Sequence, residues 1–153
     1  MRLTAYTDYS LRTLIFLALE RDSLATIAQI ADSHGIAKNH LTKVVHQLGV
    51  LGYVTTVRGR NGGLRLAREP SAINVGEVVR HTESDFHMAS CFDPQSAGCI
   101  YANGCTLAGA LDQATKAFLN VLDALTLDQV LVRAPRAGNS ATLHFRPAQA
   151  GAI

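Results

Sequence analysis

The chain has no apolar run long enough to cross a bilayer: the longest near its start, Leu14 to Leu19, falls far short of the roughly 20 residues a spanning helix needs. No basic-then-apolar leader with a cleavage site precedes it, so the protein is expected to be soluble and cytoplasmic, with no membrane partner. It has no internal repeat, and at +2 its net charge is small. That charge is unevenly spread: residues 1–80 carry ten Lys/Arg against six Asp/Glu, and residues 81–153 carry four against six. Only the first half could present a positive face to an anionic partner. Cysteine is scarce, with three in 153 residues, and an odd count leaves one thiol over from any disulfide. A cytoplasm keeps thiols reduced, so clustered cysteines are more often metal ligands or reactive centres than staples. The 48% apolar content is enough to bury one core, which excludes disorder of the whole chain.

What is present is helical over most of the chain. Leu11, Leu14, Ile15, Ala18 and Leu19 recur at helical spacing and predict an amphipathic helix from about Thr7 to Glu20, with Asp8 and Arg12 one turn apart on its surface. Thr26 is placed to cap a short second helix that turns Ile27, Ile30 and Ala31 inward and ends at Gly35 in a left-handed turn. A third helix, from about Lys38 to Leu51, has Leu41, Val44, Val45, Leu48 and Leu51 on one face. Its other face shows Lys38, Asn39, His40, Thr42, Lys43, His46 and Gln47. Two helices joined by a short turn containing glycine, the second with cationic and amide side chains outward, fit a helix-turn-helix; a merely solvated helical hairpin is the bland alternative.

Residues 52–67, GYVTTVRGRNGGLRLA, read as two short strands around RGRNGG, with Asn61, Gly62 and Gly63 supplying positive-φ positions. A hairpin directly after a recognition-type helix is the wing of a winged helix, and Arg58 and Arg60 at its tip suit phosphates or a narrow minor groove. The glycines match neither common nucleotide-binding spacing. After Pro70, residues 73–83 begin another helix, with Asn74 as N-cap and Glu77 as its reciprocal partner.

From Ser84 to Gly104 no period appears, and every cysteine (Cys91, Cys99, Cys105) lies in or at the edge of this stretch. Thr106 can cap a long helix with Leu107, Ala110, Leu111, Ala114, Phe118, Val121, Leu122 and Leu125 as an apolar stripe, suited to pairing with its copy in a second chain. The expected fold is mainly α with a small β-hairpin. A winged helix-turn-helix domain (1–83) is followed by a cysteine loop (84–105), a dimerisation helix (106–130) and a flexible tail (131–153).

In combination these segments resemble the NsrR/IscR-type family of winged-helix iron-sulfur repressors, in its nitric-oxide-sensing branch. The resemblance is carried by LTAYTDYSLRTLIFLA, by IAQIADSHGIAKNHLTKVVHQLGVLGYV, by VRGRNGGLRLA, by VGEVVRHTE and by the cysteine triplet, over roughly residues 1–130. It implies a homodimer in which each subunit holds an iron-sulfur cluster (2Fe-2S or 4Fe-4S) through Cys91, Cys99 and Cys105. The seven-residue gap between the first two cysteines is longer than the five of several relatives, and a loop absorbs two extra residues at small entropic cost. One branch of the family takes its fourth donor from a histidine two residues after the third cysteine, where this chain has Leu107. The other takes an aspartate from the first helix of the partner subunit, which here means Asp8; His81 and His87 are the alternatives nearer in sequence.

The resemblance also implies repression of nitric oxide detoxification genes, relieved when the cluster is nitrosylated. DNA would be met by Thr26, Lys38, Asn39, His40, Thr42 and Lys43 in the reading head and by Arg58, Arg60 and Asn61 at the wing. Ala37 stands where relatives often place a capping serine, a loss worth about 0.5 to 2 kcal/mol. Rival readings are a general redox or iron-sulfur-status regulator of the same fold, a zinc-stabilised DNA-binding module, and an enzyme with a cysteine nucleophile beside a histidine such as His87. The last is disfavoured because no nucleophile-elbow or other catalytic signature surrounds any cysteine, and the chain is expected not to be an enzyme.

Overall fold

A computed structural model describes residues 2–93, 95, 99 and 105–131; the predicted tail and part of the cysteine loop lie outside them. Helix α1 (Ala5–Leu19) starts two residues before the predicted Thr7, because Thr4 caps it by accepting the Thr7 amide at 3.3 Å. Its buried face is not the apolar stripe alone. Thr7, Ser10, Thr13, Leu14, Leu17 and Ala18 are buried, whereas Leu19, predicted inward, is 58% exposed. The hydroxyls go inside because each finds a local partner: Ser10 Oγ donates to the Tyr6 carbonyl at 2.8 Å and Thr13 Oγ1 to the Tyr9 carbonyl at 2.7 Å.

Helix α2 (Ile27–His34) follows the sequence rules at both ends. Thr26 and Gln29 form a reciprocal capping box, and Gly35 ends the helix in the left-handed region at φ 64°. Helix α3 (Lys38–Val50) buries Leu41, Val44, Val45 and Leu48, with Leu51 half-buried just beyond its end. Strands β1 (Val54–Val57) and β2 (Gly63–Leu66) pair antiparallel, with Val54 opposite Leu66 and Val57 opposite Gly63. Ala25 adds a bridge on the outer side of β2, exchanging backbone bonds with Leu64 at 3.0 and 2.7 Å. Close approach there demands glycine at 63: a Cβ would lie 2.9 Å from the Ala25 carbonyl oxygen. The positive φ of the hairpin sits at Gly59 (120°), not at Asn61, Gly62 or Gly63 as the NGG stretch suggested. The Gly62 amide closes the tip by donating to Gly59 at 3.0 Å.

Past a 3-10 turn at Pro70–Ala72, helix α4 (Val75–Thr82) is capped by Asn74, which accepts the Glu77 amide at 2.9 Å. The expected return bond from Glu77 gives way to a contact with Arg68 at 3.9 Å. A 3-10 turn at Ser90–Phe92 interrupts the aperiodic stretch. Helix α5 runs Thr106–Asp123, with Cys105 rather than Thr106 at the N-cap and no side-chain cap among the described residues.

The predicted single helix over 106–130 is two. The chain turns after Asp123, and α6 (Leu127–Leu131) packs on α1 and buries Leu127 in the core beside Leu14, Ile30, Leu48, Tyr53 and Ile73. The break is held from outside the helix. The Val75 amide donates to the Leu125 carbonyl and the Leu127 amide to the Ile73 carbonyl, both at 2.9 Å, while Asn74 Nδ2 donates to the Asp123 carbonyl at 2.7 Å. The segment between α4 and α6 is therefore an excursion that leaves and rejoins the head at neighbouring points. Among the described residues no helix is long and apolar enough to cross a membrane.

Candidate nucleic-acid interface and metal centre

The start of α3 projects Lys38, Asn39 and His40 into solvent, and one turn on Thr42 and Lys43 are exposed as well. Thr42 spends its proton internally, donating to the Lys38 carbonyl at 2.9 Å, so only its acceptor lone pairs and methyl face outward freely. Thr26 is exposed but committed: its backbone N–H and hydroxyl both donate to Gln29 Oε1, at 2.7 and 2.9 Å. Ala37 makes no side-chain cap, as its residue type requires. The start of α3, where the His40 amide turns back to the Ala37 carbonyl at 3.0 Å, thus has no capping side chain and carries Lys38 with Lys43 beyond it, an arrangement that favours anions. Arg58, Arg60 and Asn61 are exposed at the wing tip.

Residues that sequence reasoning missed are Tyr6 and Tyr9. They wall a cavity of about 210 Å³ with Ala5, His40, Lys43 and Val44, and Tyr6 also borders a larger one of about 490 Å³ with Thr42, Lys43, His46 and Gln47. Burial raises the Tyr6 phenol above its ordinary pKa. The signal was present in TAYTDY, two tyrosines three residues apart, but a helix expected to start at Thr7 leaves Tyr6 outside it.

The three cysteines are free thiols. Cys91 is exposed in the 3-10 turn, Cys99 is exposed, and Cys105 is half-buried at the head of α5. Among the described residues no three His, Cys, Asp or Glu side chains converge on one point. Asp8 sits in the first turn of α1, about half exposed, in an ion pair with Arg12 Nε at 3.0 Å. Each of the two rival donors has a neighbour on its Nδ1 side. His81 Nδ1 shares a 2.8 Å hydrogen bond with the Tyr53 hydroxyl, and the His87 backbone amide donates to Asp85, which also lies 3.8 Å from its ring. Burial, with the Glu77 carboxylate nearby, pushes the Tyr53 phenol up to about 12, so it stays a neutral donor.

Residues 3–133 match the family model Rrf2, described as an iron-dependent transcriptional regulator. The chain is 53% identical over 133 residues to the HTH-type transcriptional regulator NsrR of Bacillus licheniformis, covering 86% of this chain and 93% of that protein. It is 55% identical over 128 residues to the protein of the same name from Bacillus subtilis, covering 83% and 88%. Among solved structures, T. potens IscR superposes with a TM-score of 0.72 at 24% identity, over 93% of this chain and 94% of that one. CymR, the global cysteine regulator of B. subtilis, does so with 0.72 at 22%, over 88% and 99%. The winged-helix architecture read from the residues is therefore the one these regulators share, and the chain belongs to the Rrf2 family of transcriptional regulators, beside its NsrR members, as a DNA-binding regulator and not an enzyme.

Proposed function

We propose that the protein is a cytoplasmic homodimeric repressor that binds double-stranded DNA and carries one iron-sulfur cluster per subunit, nitric oxide at that cluster relieving repression of nitrosative-stress genes. One observation carries this reading: all three thiols are free, none is buried, and they lie on the one excursion that leaves the reading head. The donor set fits such a cluster. Cys91, Cys99 and Cys105 supply three soft ligands, and four are usual. Leu107, 65% exposed two residues past Cys105, offers no donor atom. Asp8 does, and redirecting it costs little, because an exposed pair such as Asp8–Arg12 is worth about 0 to 1 kcal/mol. When bound, a cluster held by three thiolates and one carboxylate supplies an iron whose oxygen ligand is the most exchangeable, and so the place for a small ligand such as nitric oxide to enter.

The second chain is supported by α5. None of its eighteen residues is buried, and Leu107 and Val121 are exposed at 65% and 64% along the same apolar stripe as Ala110, Ala114 and Phe118. A stripe of that kind is satisfied by its own two-fold copy. On DNA, Lys38, Asn39, His40, Thr42 and Lys43 would enter the major groove, with Thr26 at the head of α2 and Arg58, Arg60 and Asn61 on the flanking backbone or minor groove. Two such heads must present α3 about one helical turn apart, roughly 34–36 Å, so a modest change in how they sit loses much of the specific affinity.

The test is anaerobic purification, the visible spectrum, and titration of nitric oxide against operator binding. Weakened binding that tracks loss of the cluster chromophore is expected. Unchanged operator affinity after complete loss of the chromophore sinks the sensor, and a colourless protein with stoichiometric zinc replaces the cluster by a structural metal.

A further inference from the structure

We propose that α4 is the bar that ties the cysteine segment to the DNA-reading elements, with the Tyr53–His81 hydrogen bond as its link to the head and Glu83 as its link to the Asp8 turn. Tyr53 is 0% exposed and is held from three sides. Its amide donates to the Leu48 carbonyl in the last turn of α3 at 2.9 Å, and its carbonyl accepts the Ala67 amide just past β2 at 2.9 Å. Its hydroxyl meets His81 Nδ1 on α4 at 2.8 Å. Over its ring lies the Arg68 guanidinium, 5.0 Å from the centroid, which also reaches the Leu51 carbonyl at 3.4 Å and Glu77 of α4 at 3.9 Å. One side chain therefore joins the recognition helix, the wing base and α4.

At the same C-terminal end of α4, two residues past His81, Glu83 accepts the backbone amide and the hydroxyl of Thr4 at 2.8 and 3.2 Å. Thr4 is the N-cap of α1, one turn before Asp8, and Ser84 opens the stretch that carries the cysteines. Both parts of the expected ligand set thus pull on the same eight-residue helix, and that helix is bonded to the residue that anchors α3 and the wing. In this link His81 acts as a positioning residue. The bond is half-buried, its Tyr53 end enclosed in the core and its His81 end exposed, so a displacement of α4 is felt at the enclosed ring, which packed surroundings do not let shift continuously.

This rests on the cluster reading only for its signal, and the experiment separates the two. Tyr53→Phe keeps the ring and removes the hydroxyl, whereas His81→Asn keeps an acceptor near the Nδ1 position. The first readout is the ratio of operator Kd values for cluster-free and cluster-loaded protein. Wild type should show a ratio of at least tenfold, Tyr53→Phe a ratio within about twofold of unity with an unchanged cluster spectrum, and His81→Asn a partly restored ratio. Equal losses in both forms with the ratio intact would mean a purely structural role and overturn the link.

The second readout needs no cluster: deuterium exchange at residues 79–84 in cluster-free protein saturated with duplex DNA at low salt, where non-specific binding suffices. Exchange there should slow on DNA binding in wild type and not in Tyr53→Phe. No slowing in wild type overturns the link whatever the cluster does, and a wild-type Kd ratio of one sinks the sensor reading while leaving this measurement to decide the link.

Discussion

The reading head and α5 solve the same problem in opposite ways. In the head, short helices of eight to fifteen residues each bury a face: α1 packs against α3, α4 and α6, and Leu14, Ile30, Leu41 and Leu48 are fully enclosed. Helix α5 is the longest, at eighteen residues, and encloses none of its own. Among the described residues it is its C-terminal end that is held by side chains of the head, through Asn74 and through the ion pair of Arg80 with Asp123 (Nη2 to Oδ2, 2.7 Å). That bond also holds the Asp123 carboxyl below its ordinary pKa. Length does not make a helix stable by itself; a face that stays in water signals that something outside the subunit completes it.

Substitutions can sharpen or break that contrast. The largest effect is expected in the head: Leu48→Ala should lower unfolding free energy by about 2–5 kcal/mol in chemical denaturation, since the site is closed on every side. Charging α5 with Leu107→Asp and Val121→Asp together should leave the head folded by circular dichroism yet weaken self-association at least a hundredfold, about 2.7 kcal/mol, in analytical ultracentrifugation. A monomeric wild type, or no change in the variant, would remove α5 as the seam. At the junction, Gly76→Ala should cost about 1–3 kcal/mol, because the new Cβ would sit 2.9 Å from the Asp123 amide nitrogen with backbone unable to yield. Hydrogen exchange should quicken at Val75 and at Leu127, whose bonds hold the two segments together. The smallest change is a gain: Ala37→Ser should stabilise the head by about 0.5–2 kcal/mol by capping α3, read as a raised thermal midpoint.

How much of this was legible depends on where the determining contact lies. The Thr26 cap, the Gly35 stop and the inward face of α3 are local, set by residues three or four apart, and all were readable. The start of α1 was missed because Thr4 competes with the apolar period as a signal, and its inner face because buried hydroxyls bonded to their own helix look polar in sequence. The wing glycines were recognised but misassigned: the left-handed residue is Gly59, while Gly63 is required by the approach of Ala25, nearly forty residues away. The end of α5 and the return through α6 depend on Asn74 and Ile73, some fifty residues upstream, and no local pattern announces them. For the site, the ligand candidates were legible as residue types, but the engagement of His81 with Tyr53 required the fold. So did the role of Tyr6 and Tyr9 as cavity walls.

The return of the chain through α6 has a consequence for covalent integrity. Because Leu127 is only 2% exposed within the head and Leu125 is bonded to Val75, Leu125 and the α6 residues after it belong thermodynamically to the domain before the cysteines. A protease cutting once in the exposed turn around Cys91 would sever the backbone without freeing a fragment: the two pieces would stay together through a shared interior and separate only when the head itself unfolds.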